Sequence, residues 1–524
     1  MLMNFHWLRK NVHFFVLLLV SLIVTFIFRF PDVYAYLTTP SGMVFLGQNS
    51  WFDPQDINTY VSVIHYTQSG HVLLPNLWTA LPNQSISIFP IEQLLGFFFR
   101  SVNPYLLFWI TSIFCGVLLI IGMYYLVHKT IPSIFLAAIT TLGISLGGGF
   151  GFFLYPKIAS LDMVGGITFY ETFFKPHEAI SIFCYLYGMV MFYEVFIKAP
   201  SREFKNTLFI SFALITSFLL YPYLIALYFL TTIPFLFFVK KKPTYKEMLL
   251  IFAGPLLPVI FVSYQLSLNS GFYAPFLQHL SVDPGATLFG YGLLIPIFLC
   301  QLFFMKKIQF EKYLSWWIIC AFVLAFLPFG PGRIFLRGIL FPLVLLSVLQ
   351  IQILIKKISF MPLRTCYWTI FFVLLCATNF YIFYLRFAVL QTNQATDIIY
   401  MPQDEFNIFD YLNTHTLSGS GILAGSIMSN LIPAYTDDRS CIGSLWSFNT
   451  TYNTELNIVN AFYAGQPASK DYLKENNVSY VLWGPNEQQL TARYAHYEIT
   501  DLRQFHKNLK LVYQTDTTKL YKVE

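Results

Sequence analysis

The chain returns again and again to apolar runs of about 20 residues, and this recurrence limits its fold most. The runs lie at about 12–28, 105–127, 131–153, 179–197, 207–221, 223–239, 248–267, 286–305, 313–329, 337–355 and 365–386. A run of that length crosses a bilayer as a helix, because hydrocarbon offers no partner for an open backbone. About eleven spans are expected, each of ~20 residues. The 207–239 stretch is too long for one span. Its expected break is "YPY" at Tyr221, Pro222 and Tyr223, where proline lacks the N–H that a helix needs. The run "ISIFPIEQLLGFFF" (86–99) is short and holds Pro90 and Glu92. It is expected to lie in the interface or re-enter, with Glu92 either lining a cavity or, the preferred reading, facing the headgroups.

Basic residues cluster between the runs. With the N-terminus inside, the inner loops hold Arg9/Lys10, Lys129, Lys198/Arg202/Lys205, Lys240/Lys241/Lys242/Lys246, Lys306/Lys307/Lys312 and Lys356/Lys357/Arg364. The outer loop around 268–285 has no Lys or Arg. This is the positive-inside pattern, and it holds only if 207–239 is two helices. The first run lacks a small-residue cleavage site before "RFPDVYAY" and is read as a retained signal anchor. Three outer segments follow: about 29–104, about 155–178 and the C-terminus from 387.

The expected fold class is a polytopic α-helical membrane protein with a C-terminal extracytoplasmic α/β domain. Residues 1–386 form the multi-span domain, with the long outer loop 29–104, and 387–524 form the α/β domain, set against the outer loops. In that domain "GILAGS" (421–426) and "VSYVLWG" (478–484) read as strands, "TELNIVNAFYAG" and "PASKDYLKENN" as helices, and "LKLVYQTDTTKLYKVE" as a closing hairpin. The expected location is a plasma or inner membrane. Only 11% of residues are charged, against roughly 25% in soluble domains. No basic stripe with interleaved aromatics lies in polar sequence, so nucleic acid is not an expected partner. The seven cysteines show no metal-ligand spacing and suggest no disulfide framework. "GISLGGGFGFF" (143–153) lacks the Lys-Ser/Thr of a phosphate loop and suits close helix packing. Asn-x-Ser/Thr occurs at Asn83, Asn449 and Asn477, all on the expected outside.

Candidate chemistry gathers in the outer segments. "WFDPQDINTYVSVIHYTQSG" (51–70) has helical spacing after Pro54, with Ile57, Tyr60, Val61, Ile64 and His65 on one face of an amphipathic, interfacial helix. Asp53 suits the N-cap and Asp56 the first turn, where the helix dipole favours a carboxylate. Either acid would also serve as a general base on an acceptor hydroxyl, or hold a divalent metal such as Mg or Mn. His65 and His71 read as surface residues. The second outer segment offers Asp162 (which lies outside the residues the structure describes), Glu171, Lys175, His177 and Glu178. Ionisable groups at membrane depth are functional candidates, although Pro176-His177-Glu178 is also an ordinary helix opening. "PFGPGRIFLRG" (328–338) sets Arg333 and Arg337 four apart, on one side of a helix. Arginines on the outer face suit a lipid phosphate or pyrophosphate, and snorkelling to headgroups is the plainer account.

The layout resembles the GT-C superfamily of membrane glycosyltransferases, which includes protein and lipid mannosyltransferases and aminoarabinose-type transferases. The resemblance rests on a first span, a long outer loop with "DPQDINTY", many later spans and an outer soluble domain. "GRIFLRGILFPL" (332–343), "ILAGSIMSNLIPAYT" and "YVLWGPNE" resemble a bacterial branch of that superfamily. The resemblance implies a catalytic acid in the first outer loop. Asp56 matches the D-x-x-T-Y form and is favoured over Asp53. The family often has two adjacent acids there, and here they are three apart. It further implies that His177 or Lys175 binds the donor phosphate, with Arg333 and Arg337, and that Glu171 assists the metal or the acceptor. The expected partner is a polyprenyl-phosphate-linked sugar, drawn from membrane lipid in the cell envelope. Two other classes compete: a lipid or solute transporter, and a non-catalytic GT-C-like protein whose tail binds a partner. A transporter calls for midplane charges and repeated halves, and neither is evident.

Overall fold

A computed structural model describes residues 11–49, 54–154, 168–198, 203–239, 242–268, 282–304, 308–328, 332–392, 398–443, 452–466, 471–494 and 501–524. The first run forms α1 (Val12–Leu37). The first outer segment adds strand β1 (Met43–Phe45) and helices α2 (Pro54–Gln68) and α3 (Pro90–Phe98). Then come α4 (Pro104–Thr130), α5 (Ile134–Leu146), α6 (Pro176–Phe192), α7 (Phe204–Leu220), α8 (Leu224–Thr232), α9 (Leu256–Leu268), α10 (Leu294–Phe304), α11 (Gln309–Phe326), α12 (Leu340–Ile355) and α13 (Met361–Ala388). Every apolar run supplies one of these helices. Among the described residues, six helices are long and apolar enough to cross a membrane. The chain is an integral membrane protein. The break expected at Tyr221–Tyr223 separates α7 from α8.

The chain forms two compact units. The first comprises residues 1–30, 110–262 and 278–385. Its helices approach closely through small residues, as at Gly188, where a Cβ would press on Leu214. Polar groups inside it bond to neighbouring helices. Ser181 Oγ donates to Ser217 O at 3.0 Å, and Tyr313 Oη to Met189 O at 2.9 Å. The glycine-rich stretch ends α5 and is stitched to α13. The Gly148 and Gly149 amides donate to Leu375 O at 2.8 and 2.7 Å, and Asn379 donates to the carbonyls of Leu146 and Gly147. Gly149 has φ 62° and sits against the Gly290 backbone, where only glycine fits. The packing role expected for this stretch is what the structure shows.

The second unit joins residues 31–109 and 263–277 to 386–524. Strand β1 pairs antiparallel with β2 (Tyr400–Pro402), with Val44 opposite Met401. Helix α14 (Gln403–His415) leads to β3 (Gly421–Leu423), α15 (Ser426–Tyr435) and β4 (Arg439–Ser440). Then follow α16 (Tyr452–Tyr463), β5 (Tyr480–Trp483), α17 (Pro485–Tyr494) and the hairpin β6 (Leu509–Gln514) and β7 (Lys519–Val523). The five-stranded sheet runs β4-β3-β5-β7-β6, with β3 parallel to β4 and β5, and β7 antiparallel to β5 and β6. It is α/β, with both strands and the hairpin where the sequence places them. Glu487 fills the crevice at the carboxyl ends of β3 and β5, accepting the Gly425 amide at 2.7 Å and the Gly484 amide at 2.9 Å. That crevice is where open α/β sheets bind ligands, and here the chain plugs it itself.

Two expectations for the first outer segment are corrected. Helix α2 is not interfacial. Ile57, Tyr60, Val61 and Ile64 pack on Tyr105, Phe108 and Ala434, and Asn58, Thr59 and Ser62 on its polar side are buried too. Hydrogen bonding makes that burial tolerable: Asn58 Oδ1 accepts from Gln48 Nε2 at 3.0 Å and from Tyr105 Oη at 2.8 Å. Glu92 does not face headgroups. It is fully buried, because α3 turns its polar residues inward.

A charged lock holds the base of this unit. Arg386 is wholly buried and donates to Asp32 Oδ1 at 2.7 Å and to Asn49 O at 2.8 Å. The Asn49 amide donates to the same Asp32 oxygen at 2.8 Å, and its side chain donates to the carbonyls of Pro31 and Arg386. Removing one partner strands the other charge, which typically costs about 3–5 kcal/mol. Arg386→Met is therefore expected to lower the thermal midpoint of the detergent-purified protein sharply. The double variant Arg386→Met/Asp32→Leu should recover part of the loss.

Candidate functional site

Two groups of side chains, one in each unit, carry the candidate chemistry. In the first unit, Pro176 opens α6 and sets Lys175 at its N-cap and His177 and Glu178 in its first turn. The preceding segment makes a 3₁₀ turn at Glu171–Phe173. Arg29 holds that turn, donating to Phe173 O at 3.2 Å with its guanidinium 4.5 Å above the Phe174 ring. Ser112 Oγ donates to Phe174 O at 3.0 Å. The turn brings Glu171 and Glu178 together around two cations.

Arg337 reaches both acids, donating through Nη1 to Glu178 Oε2 and through Nη2 to Glu171 Oε2 at 3.1 Å. Lys175 Nζ lies 3.5 Å from Glu171 Oε2 and 3.9 Å from Glu178 Oε1. The Arg337 guanidinium also sits 5.4 Å from the centre of the Tyr221 ring. Lys175, His177, Glu178 and Arg337 are all buried. Two acids balance two bases, so pairing offsets the cost of burial and leaves no bare charge. One donor is left over: among the described residues, the buried Nε of Arg337 has no hydrogen-bond partner.

Arg333 and Arg337 do not share a helical face. Arg333 lies in a 3₁₀ turn, Gly332–Leu336, and Gly338 at φ 81° breaks the chain before α12 begins. Arg333 is only partly buried, whereas Arg337 is drawn in by its acids. Glu178, which the sequence marks mainly as a dipole-favoured acid, is a direct partner of Arg337. Arg29 and Tyr221 also belong to the cluster's surroundings, and no local pattern marks them. The nearest signal is an arginine and a tyrosine at the outer ends of apolar runs.

In the second unit, Asp56 stands in the first turn of α2 and is 7% exposed. Asp53 lies outside the described residues, as does Asn449. Two residues beyond Asp56, Asn58 holds Gln48, and the neighbouring Asn49 belongs to the Arg386 lock. At the other end of α2, His65 Nε2 lies 3.4 Å from Asp437 Oδ1, so His65 is a contact residue and not a free surface one. That imidazole holds the Asp437 carboxyl below its ordinary range. His71 is exposed and stacks on Tyr66 at 4.8 Å. Among the described residues, no three His, Cys, Asp or Glu side chains converge as a metal site.

No family model matches the chain, and no curated protein matches it. Its overall fold does match that of solved structures. One match is the archaeal oligosaccharyltransferase AglB from Archaeoglobus fulgidus, in complex with an inhibitory peptide and a dolichol-phosphate. It is 12% identical, with a TM-score of 0.57 over 99% of this chain and 75% of that one. Another is an Archaeoglobus fulgidus oligosaccharyltransferase solved with zinc and sulfate, 13% identical, with a TM-score of 0.47 over 97% of this chain and 73% of that one.

Asp438, beside Asp437, gives a pH test of the second unit. It accepts from Thr416 Oγ1 at 2.6 Å and from the Ser420 amide at 3.2 Å, yet burial pushes its carboxyl up to about 6. The folded state thus holds this proton more tightly than the unfolded state, and stability falls as pH rises from the ordinary carboxylate value through about 6. Asp438→Asn is expected to reduce the drop in thermal midpoint between about pH 4.5 and about pH 7.

Proposed function

We propose that the chain is an integral membrane glycosyltransferase that moves a sugar from a polyprenyl-phosphate donor to an acceptor at the extracytoplasmic face. The observation that carries the reading is the Arg337 cluster: a buried guanidinium, oriented by two carboxylates, whose Nε–H meets no acceptor among the described residues. A phosphate oxygen is the acceptor best suited to that donor. The GT-C fold supports the same reading, and its AglB neighbour was solved with a dolichol-phosphate.

Negative charge grows on the leaving phosphate as the sugar departs, and preformed cations stabilise it without reorganising. Arg337 supplies Nε, and Lys175 and Arg333 supply further positive charge. Glu171 and Glu178 keep Arg337 and Lys175 in place between turnovers. Asp56, presented on a rigid buried helix, accepts the proton of the acceptor hydroxyl or orients it. The described residues do not assemble a metal donor set, so no step is routed through Mg or Mn. The wider layout we propose has about eleven spans, a cytoplasmic N-terminus and residues 387–524 outside, as the basic loops indicate.

The test uses membranes or purified protein with a radiolabelled lipid-linked sugar. Asp56→Asn is expected to lower transfer by ~100-fold or more with an unchanged thermal midpoint, in line with loss of a general base. Arg337→Lys keeps the charge and removes the fork, and should depress kcat more than it raises KM. Full activity in Asp56→Asn would take that carboxylate out of the mechanism. No transfer by the unmodified protein from any polyprenyl-phosphate sugar would sink the enzymatic reading.

A further inference from the structure

Two histidines and a tyrosine meet where α1 begins and α4 ends, and the proposed chemistry leaves them unused. His13 lies in the first turn of α1 and His128 in the last turn of α4. Tyr124 stands one turn before His128, so the two share a side of α4. The His13 and His128 rings meet edge to face, with centres 4.8 Å apart and planes at 64°. His128 stacks on Tyr124 at 5.8 Å, the two planes 5° apart. His13 Nδ1 and Tyr124 Oη share a hydrogen bond of 2.9 Å. All three residues belong to the first unit.

The arrangement leaves ring nitrogens for a ligand. Tyr124 engages Nδ1 of His13, so Nε2 is the nitrogen of that ring left to an ion. Metal-bound imidazoles usually have their other nitrogen fixed by an oxygen in this way. The buried Nδ1 of His128 has no hydrogen-bond partner among the described residues, and such an atom is costly to leave bare. Two imidazoles on one ion, at the usual Zn–N distance of ~2.1 Å, have ring centres about 5 Å apart. The observed 4.8 Å matches that spacing. Tyr124 is buried, His128 half-buried and His13 exposed, which gives an ion a route in from water. The nearest basic residue in the chain is turned elsewhere. Lys129 Nζ lies 3.3 Å from the Met191 sulfur on α6 and 5.8 Å from the centre of the Tyr125 ring.

We propose that His13 and His128 form a two-imidazole site for a divalent transition ion of the zinc, nickel or copper type, with Tyr124 as the positioning residue. Water completes the coordination, since no third His, Cys, Asp or Glu converges there among the described residues. Imidazole nitrogen suits these ions, whereas Mg and Mn take oxygen ligands. The ion clips α1 to α4, and binding only the folded arrangement makes it stabilising. The site does not depend on the glycosyltransferase reading and has no part in sugar transfer.

The test uses full-length protein with a purification tag that contains no histidine, stripped of metal by a chelator. Zinc in modest excess is expected to raise the thermal midpoint by several degrees. His13→Gln and His128→Gln should each remove most of that rise, and His71→Gln, at an exposed histidine of the second unit, should leave it intact. The stripped midpoint of each variant is the baseline, so a folding defect is not read as lost metal. By electron paramagnetic resonance, bound copper(II) should couple to two imidazole nitrogens in the unmodified protein and to one at most in either His13→Gln or His128→Gln. Tyr124→Phe keeps the ring and should weaken zinc binding several-fold; unchanged affinity would take Tyr124 out of the site. A zinc-induced rise that survives in either His13→Gln or His128→Gln would overturn the two-imidazole site. So would the absence of both the zinc rise and the two-nitrogen copper signal in unmodified protein, which would make the rings packing residues only.

Discussion

Charge without water must find charge, and most of what is distinctive here follows from that constraint. In the first unit, a guanidinium and an ammonium are held among two carboxylates at the head of α6. In the second, Arg386 is wholly enclosed with Asp32 and Asn49. Neither arrangement is a large source of stability, since removing ions from water costs about as much as pairing returns. Their value is geometric. A buried pair has few alternative partners, so it fixes the segments that bring it together.

That geometry bears on how each group would work. The Arg337 cluster resembles a loaded clamp more than an open basic pocket. Its acids hold the cations in one orientation, and an incoming anion would have to share them. Asp56 is supported differently. Its helix is sunk in a core of Tyr60, Phe108 and Ala434, and the segment before it is tied down through Gln48 and Asn49. In the proposed function such stiffness would serve Asp56, because a small misplacement of a reacting group costs much of its effect.

Much of the fold is legible in the residues. Run lengths locate the helices, and Pro222 marks the break between α7 and α8. The strands at 421–423 and 480–483 show as short apolar runs closed by Gly425 and Gly484, and the hairpin shows in the pattern of 509–524. The candidate residues are legible as types, since acids and bases at membrane depth stand out against an apolar background. Their partners are not. Nothing near Glu178 in the chain points to Arg337, and nothing near Asp32 points to Arg386. The helical reading of Arg333 and Arg337 fails for a related reason: spacing of four places two residues on one side only where a helix forms, and the 3₁₀ turn that holds Arg333 ends at Leu336, before Arg337.

The sequence by itself determined where the helices lie, that the chain belongs in a membrane, and that its C-terminal part is α/β. All three depend on local composition and period, which a short window carries in full. Only the tertiary structure decided which faces are covered. It buried α2 on both sides, turned the apolar side of α3 outward, and made Glu178 a partner of Arg337. Those outcomes depend on residues far apart in the chain, and periodicity names a face without naming what packs against it.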